Sequence, residues 1–221
     1  MTNLELKKAM KELREDIDSS KDKILIEIFK MAKTLVSVVY DKIESEKTSS
    51  EIKKDIQKKT ESSFEETYKI TSIQVKKIYQ RVPTFNPDNL EDLTYTEDGK
   101  TYKDRLDQYY IEIFEDKEKN KSFEYALMKY ETKLERLLHT ETRHIETTVK
   151  INKKPKGELW VIIDDTGCDK CEGGTYPEKG TKLPPFHVDC DCLWWYIDSK
   201  SLKDKEEIME DINDEIRGSS I

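Results

Sequence analysis

Cys168, Cys171, Cys190 and Cys192 are the only cysteines of the chain, and His187 stands three residues before Cys190. The spacing is Cys168-x-x-Cys171, fifteen residues, His187-x-x-Cys190, then Cys192. Two close-spaced ligand pairs around a loop rich in Gly and Pro are what a tetrahedral metal site needs, because each pair forms one corner and the loop brings the corners together. Thiolate and imidazole together favour zinc. Cys168, Cys171, His187 and Cys190 are the expected ligands. Cys192 is an alternative ligand or a spare thiol, so its loss should be the mildest. A disulfide cross-link, a redox Cys-x-x-Cys and plainly buried thiols stay open as other uses of the same residues. A catalytic zinc would need an open position and a nearby acid or base. Asp164, Asp165, Asp189 and Asp191 are close in sequence, but acidic loop residues are usually solvated.

Other polar residues invite weaker readings. Residues 139–146 read HTETRHIE, yet His139 and His144 are five apart, about 140° around a helix, and do not share a face. Arg143 with Glu146, and Arg136 with Glu141, are expected as surface ion pairs. Lys150, Lys153, Lys154 and Lys156 precede the cysteine stretch and are the candidate phosphate contacts.

Helices must carry most of the rest. Residues 4–46 show an apolar stripe of Leu6, Met10, Leu13, Ile17, Ile24, Ile28, Met31, Leu35 and Val38, with 24–39 as the more buried half. Thr48 to Ser50 break and cap the chain before a second helix over 50–81, with Ile52, Ile56, Phe64, Tyr68, Val75 and Ile78 inward. The two form a helical hairpin. Two prolines and Asp-Gly make 82–100 a loop. A third helix follows over about 102–119, with Leu106, Tyr110, Ile113 and Phe114 inward, ended by Asn120. Ser122 caps a fourth, over 123–150. Strands at 158–164 and 193–197 flank the cysteine loop and pair as an antiparallel hairpin at its base. A last helix spans 202–217. The fold class expected is α+β, mostly α. Its parts are a helical hairpin (1–82), a central helical region (83–152), a Cys/His module of zinc-knuckle type with a short β-hairpin (153–200), and a C-terminal helix and tail (201–221).

Charged residues make up 39% of the 221 and hydrophobic ones 35%, too polar for one large core. A net charge of -8 argues against broad, non-specific nucleic-acid binding. No segment approaches the roughly 18 apolar residues of a membrane span, and the N-terminus lacks a signal-peptide core. Synthesis in a reducing cytoplasm is expected, which favours metal over disulfide.

Three segments resemble the minor head proteins of tailed bacteriophages, the family of the Mu head-morphogenesis protein F. DGKTYKDRLDQYY (98–110) resembles the family's GKTWSDRI. LERLLHTETRH (134–144) resembles its RLVRTE helix. CDKCEGGTYPEKGTKLPPFHVDCDC (168–192) is similar to C-x-x-C-x-x-x-x-G … PP-x-HP-x-C-R-C, and this match is the specific one. Order and spacing agree over roughly residues 90 to 200. Three positions depart from the pattern: His139 replaces Arg before Thr-Glu, Val188 replaces Pro, and Asp191 replaces Arg between the last two cysteines.

The resemblance implies a low-copy structural component of the phage head that associates with the portal protein during assembly. Capsid or scaffolding protein are further partners, and some members have been linked to DNA packaging or ejection. It implies a place in the virion, at the head interior or portal vertex, reached from the host cytoplasm. It also singles out Arg105 and Glu141 as structural positions, Glu141 orienting its helix against the zinc module. No nucleophile–base pair, phosphate-binding Gly loop or paired catalytic carboxylates stand in a recognisable motif, so a non-enzymatic role is expected. The competing readings are a zinc-dependent nucleic-acid-binding protein and a metal-dependent hydrolase.

Overall fold

The computed structural model describes residues 3–79, 100–164, 171–185 and 190–198. The loop expected over 82–100 except Lys100, the last helix over 202–217, and the site residues Cys168 and His187 lie outside the described residues. Four helices come first: α1 (Asn3–Val39), α2 (Ser49–Tyr79), α3 (Tyr102–Glu118) and α4 (Phe123–Asn152). Three strands follow: β1 (Leu159–Asp164), β2 (Gly174–Pro177) and β3 (Leu193–Asp198). The strands form one antiparallel sheet in the order β2-β1-β3.

Local chemistry sets the helix ends. Thr48 and Glu51 exchange hydrogen bonds at the start of α2, and Thr101 with Asp104 does the same for α3. Ser122 accepts from the Tyr125 amide at the start of α4. α3 stops at a left-handed Asn120 (φ 54°), with the Lys121 amide reaching back to the Asp116 carbonyl. α1 stops in the same way, at Asp41 (φ 56°), with Lys42 N bonded to Ser37 O. The helix expected to run to residue 46 therefore ends at Val39. Aspartate tolerates the left-handed conformation, and nothing in the local composition marks that turn.

α1 serves two cores. Leu25, Ile28, Ala32, Leu35, Val36 and Val39 pack with Ile52, Ile56 and Phe64 of α2 and with the inner faces of α3 and α4. Leu6, Met10, Leu13 and Ile17 pack instead with Val75 and Ile78 of α2 and with Ile162, Leu193, Trp195 and Ile197 of the sheet. As expected, 24–39 is the more buried half, with seven buried residues, but the first half is buried too, through Leu6, Met10, Leu13 and Ile17. Its cover comes from strands more than a hundred residues away in the chain. Phe114, expected inward, is exposed, while Leu106 and Ile113 are buried. Along α2 the stripe is filled by Thr60, Ser63, Thr67 and Thr71, all buried. The three threonines return their hydroxyls to carbonyls four residues earlier, at 2.8 to 2.9 Å. Small residues there leave room for α1.

The sheet follows the two-residue period of strands. Trp160 and Ile162 face α1 with Leu193, Trp195 and Ile197; Leu159, Val161 and Ile163 face the other way with Trp194 and Tyr196. The expected β1–β3 pair is present, running from Leu159↔Asp198 to Asp164↔Leu193. The cysteine loop adds a third strand, β2, which pairs Gly174 with Ile163. The outer edge of β3 is covered. The Tyr196 amide donates to the Tyr79 hydroxyl at 3.0 Å, and the Trp194 carbonyl accepts from Lys150 at 3.1 Å. An edge with its polar groups occupied is no template for another strand.

Met10 is fully buried between α2 and the sheet. Met10→Ala should cost roughly 2–5 kcal/mol in chemical denaturation. Ile26→Ala, at an exposed position, should stay within about 0.5 kcal/mol. Equal, small effects would mean that the first half of α1 does not pack against the sheet.

Candidate metal centre

β1 is the central strand, so the segments pairing with its C-terminal end meet there. Gly174 of β2 lies beside Ile163, and Leu193 of β3 lies beside Asp164. Cys171 precedes the first segment by a few residues, and Cys190 and Cys192 immediately precede the second. Cys171, Cys190 and Cys192 therefore converge at one end of the sheet. They are 7%, 2% and 1% exposed, and their three sulfurs lie within 4.8 Å of one another. Cys171 Sγ and Cys190 Sγ are 3.7 Å apart. A disulfide requires about 2.05 Å. Sulfurs bound at about 2.3 Å to one tetrahedral ion stand about 3.8 Å apart. None of the three is in a disulfide, and their arrangement can hold a metal ion. Cys192 lies inside this cluster, so the geometry gives no reason to treat it as a spare thiol.

Behind the cysteines sits a buried charge cluster joining three elements. Glu146 of α4, with no exposure, accepts from Arg14 Nε at 2.9 Å and Nη2 at 3.2 Å and from Lys150 Nζ at 2.5 Å. Arg143 Nη1 lies 3.7 Å away. Burial alone pushes the Glu146 carboxyl up; Arg14, Lys150 and Arg143 outweigh it and hold it well below the usual carboxylate range. Arg14 also donates to the carbonyls of Asp191 at 3.0 Å and Cys192 at 3.3 Å. Arg143 grips both oxygens of Asp18 at 2.7 and 2.8 Å and reaches Asp191 at 3.2 Å. His139 Nε2 lies 3.3 Å from the same Asp191 oxygen. That contact, followed by the charges of Arg143 and Arg14, holds the Asp191 carboxyl well down. Trp194 completes the link. Its indole donates to Thr147 at 3.0 Å, and Lys150 lies 5.0 Å over its ring.

This changes the status of several residues named from sequence. Arg143 and Glu146 are 3% and 0% exposed, so theirs is a buried contact and not a surface pair. Lys150 is completely buried against Glu146, and burial pushes its ammonium down to about 8. It is not a phosphate contact. Lys153 is also buried, with its ammonium 5.4 Å over the Tyr68 ring. Lys154 pairs with Glu178, and Lys156 is exposed. Glu141 is buried and close enough to Tyr109 of α3, together with Arg105, to affect its hydroxyl. The carboxylate that α4 sends towards the cysteine hairpin is Glu146. Arg14 and Asp18 went unnoticed in the sequence. The available signal was a charged line beside the α1 stripe, where Arg14, Asp18 and Lys21 recur at helical spacing.

No protein-family model, curated protein or solved structure matches the chain.

Glu146→Ala would leave Arg14 and Lys150 buried without the carboxylate they donate to, and should cost about 3–5 kcal/mol in denaturation. Glu112→Ala, which removes the more exposed partner of Lys129 and Lys133, should cost about 1 kcal/mol or less. A second expectation concerns pH. Burial, and then Arg105, push the His144 imidazole down to about 4. The unfolded chain, with an ordinary His near 6.5, therefore binds a proton that the fold does not between those values. Stability should fall as pH drops from about 6.5 to about 4, and His144→Asn should flatten that limb in thermal melts. An unchanged slope would place its origin elsewhere.

Proposed function

We propose that the chain is a structural minor head protein of a tailed bacteriophage, whose cysteine module is held by zinc and whose helices make contacts at the portal. The observation that carries this reading is the Cys168–Cys192 stretch. It is similar to the family's cysteine pattern in order and spacing, and Cys171, Cys190 and Cys192 of that pattern converge to sulfur-ligand distances. Two departures from the family pattern also meet. His139 and Asp191, each standing where the family usually has Arg, lie 3.3 Å apart.

Buried thiolates suit zinc in a closed, structural site. The described residues give three ligands, and Cys168 or His187 is the proposed fourth, each three residues from a described cysteine. Bound there, zinc supplies folding free energy to a segment with few apolar residues of its own. The burial of Lys150 and Lys153 favours this reading over a nucleic-acid-binding protein, since it leaves only Lys154 and Lys156 of that cluster to meet phosphate. Among the described residues no helix is long and apolar enough to cross a membrane. The proposed location is the virion, at the portal vertex or head interior.

Protein purified under reducing conditions should carry about one zinc per chain by elemental analysis, and Cys171→Ser, Cys190→Ser and Cys192→Ser should each lose most of it. Retention of full zinc by Cys192→Ser alone would return Cys192 to the role of spare thiol. For the assembly role, the chain should co-purify with a phage portal protein when the two are co-expressed, and appear in few copies per purified head. Absence from heads, with no portal association, would overturn that role and leave the metal site standing.

A further inference from the structure

The contacts of Arg14 give the metal reading a consequence. We propose that Arg14 is a positioning residue for the cysteine hairpin, so that metal binding and the docking of the first half of α1 form one linked equilibrium. The inference rests on the metal reading above and extends it to a residue far from the cysteines in sequence.

Arg14 is bonded at both ends of its fork. Nε and Nη2 hold Glu146 at 2.9 and 3.2 Å. Nη1 and Nη2 reach the carbonyls of Asp191 and Cys192 at 3.0 and 3.3 Å. Those carbonyls belong to the peptide groups on either side of the Cys192 α-carbon. Fixing both limits the rotation of the backbone that carries Cys192 and hence the direction of its sulfur. A planar five-donor guanidinium can bracket two carbonyls and a carboxylate at once; an ammonium cannot.

The first half of α1 is docked on two surfaces, the end of α2 and the sheet. Leu6, Met10, Leu13 and Ile17 pack against Val75 and Ile78 and against the sheet. Asn3 accepts from the Trp195 indole at 2.9 Å. The second half of α1 belongs to the separate bundle core. Anything that releases β3 and the hairpin removes one of those two surfaces and uncovers the sheet side of Leu6, Met10, Leu13 and Ile17. Linkage is reciprocal: whatever docking adds to metal affinity, metal adds to docking.

The variant that tests this is able to fold. In Arg14→Leu, Glu146 keeps Lys150 at 2.5 Å and Arg143 at 3.7 Å, so the carboxylate is not stranded, and leucine suits the apolar stripe. The full chain is loaded with Zn²⁺, and affinity is read by competition with a chromogenic chelator. Arg14→Leu should bind Zn²⁺ about 10- to 100-fold more weakly, the range for residues that orient metal ligands. Arg14→Lys, which can reach Glu146 but not both carbonyls, should fall in between. Hydrogen exchange on the same samples gives the other half of the linkage. Removing Zn²⁺ from the wild-type chain should raise exchange over residues 6–17 together with β1 and β3, and leave 52–64 and 126–138 protected. Restoring Zn²⁺ should reverse it. Wild-type affinity in Arg14→Leu, or a first half of α1 that stays protected while β3 opens, would overturn the inference and leave the metal reading intact. A folded chain that binds no Zn²⁺ would overturn both.

Discussion

One buried carboxylate organises this protein. Glu146 has no exposure, and three cations from two helices surround it. Such a cluster is tolerated only when its members satisfy one another, because each charge left alone in the interior costs several kcal/mol. Arg14 can reach Glu146 only if α1 lies along α4. Lys150 can serve both Glu146 and the Trp194 carbonyl only if β3 runs past the end of α4. The cluster therefore acts as a registration device: shifting one element by a helical turn would strand a charge. The apolar cores supply most of the stabilisation, being non-directional. The charges discriminate among ways of packing the same apolar stripes.

The cysteine site inherits its position from that registration. The sulfurs converge because β1 is flanked by β2 and β3, which places the two ends of the cysteine loop at one end of the sheet. The hairpin that presents Cys190 and Cys192 is then held from behind by Arg14. Asp191, between those cysteines, is turned towards Arg143 and His139. An acidic residue there is accounted for by its partners on α4 together with solvent at its exposed side.

What was legible in the sequence follows from the range of the interaction involved. Thr48, Thr101, Ser122 and Asn120 act within four residues of themselves, so helix ends at those positions could be read directly. The cysteine spacing was legible for a similar reason, since close-spaced ligand pairs are local geometry. β2 was missed because Gly174 to Pro177 has no apolar alternation; it is a strand only because β1 lies beside it. The burial of the first half of α1 depends on Leu193, Trp195 and Ile197, whose faces no local pattern can connect to Leu6. Arg143 and Glu146 show the limit most clearly. Their spacing is that of countless solvated pairs, and only Arg14, 132 residues away from Glu146, makes the site a buried one. Lys150 was misread for the same reason: a lysine among lysines looks solvated until its carboxylate partner is found one turn back.

The proposed metal ion would be held by sulfur at the end of the sheet. Zinc-edge X-ray absorption on the purified full chain tests that most directly. It should show three or four scatterers at sulfur distance, about 2.3 Å, with any remaining ligand a nitrogen at about 2.0–2.1 Å. A zinc-free chain that is fully folded with its thiols reactive, or a bound zinc surrounded only by oxygen and nitrogen, would contradict it.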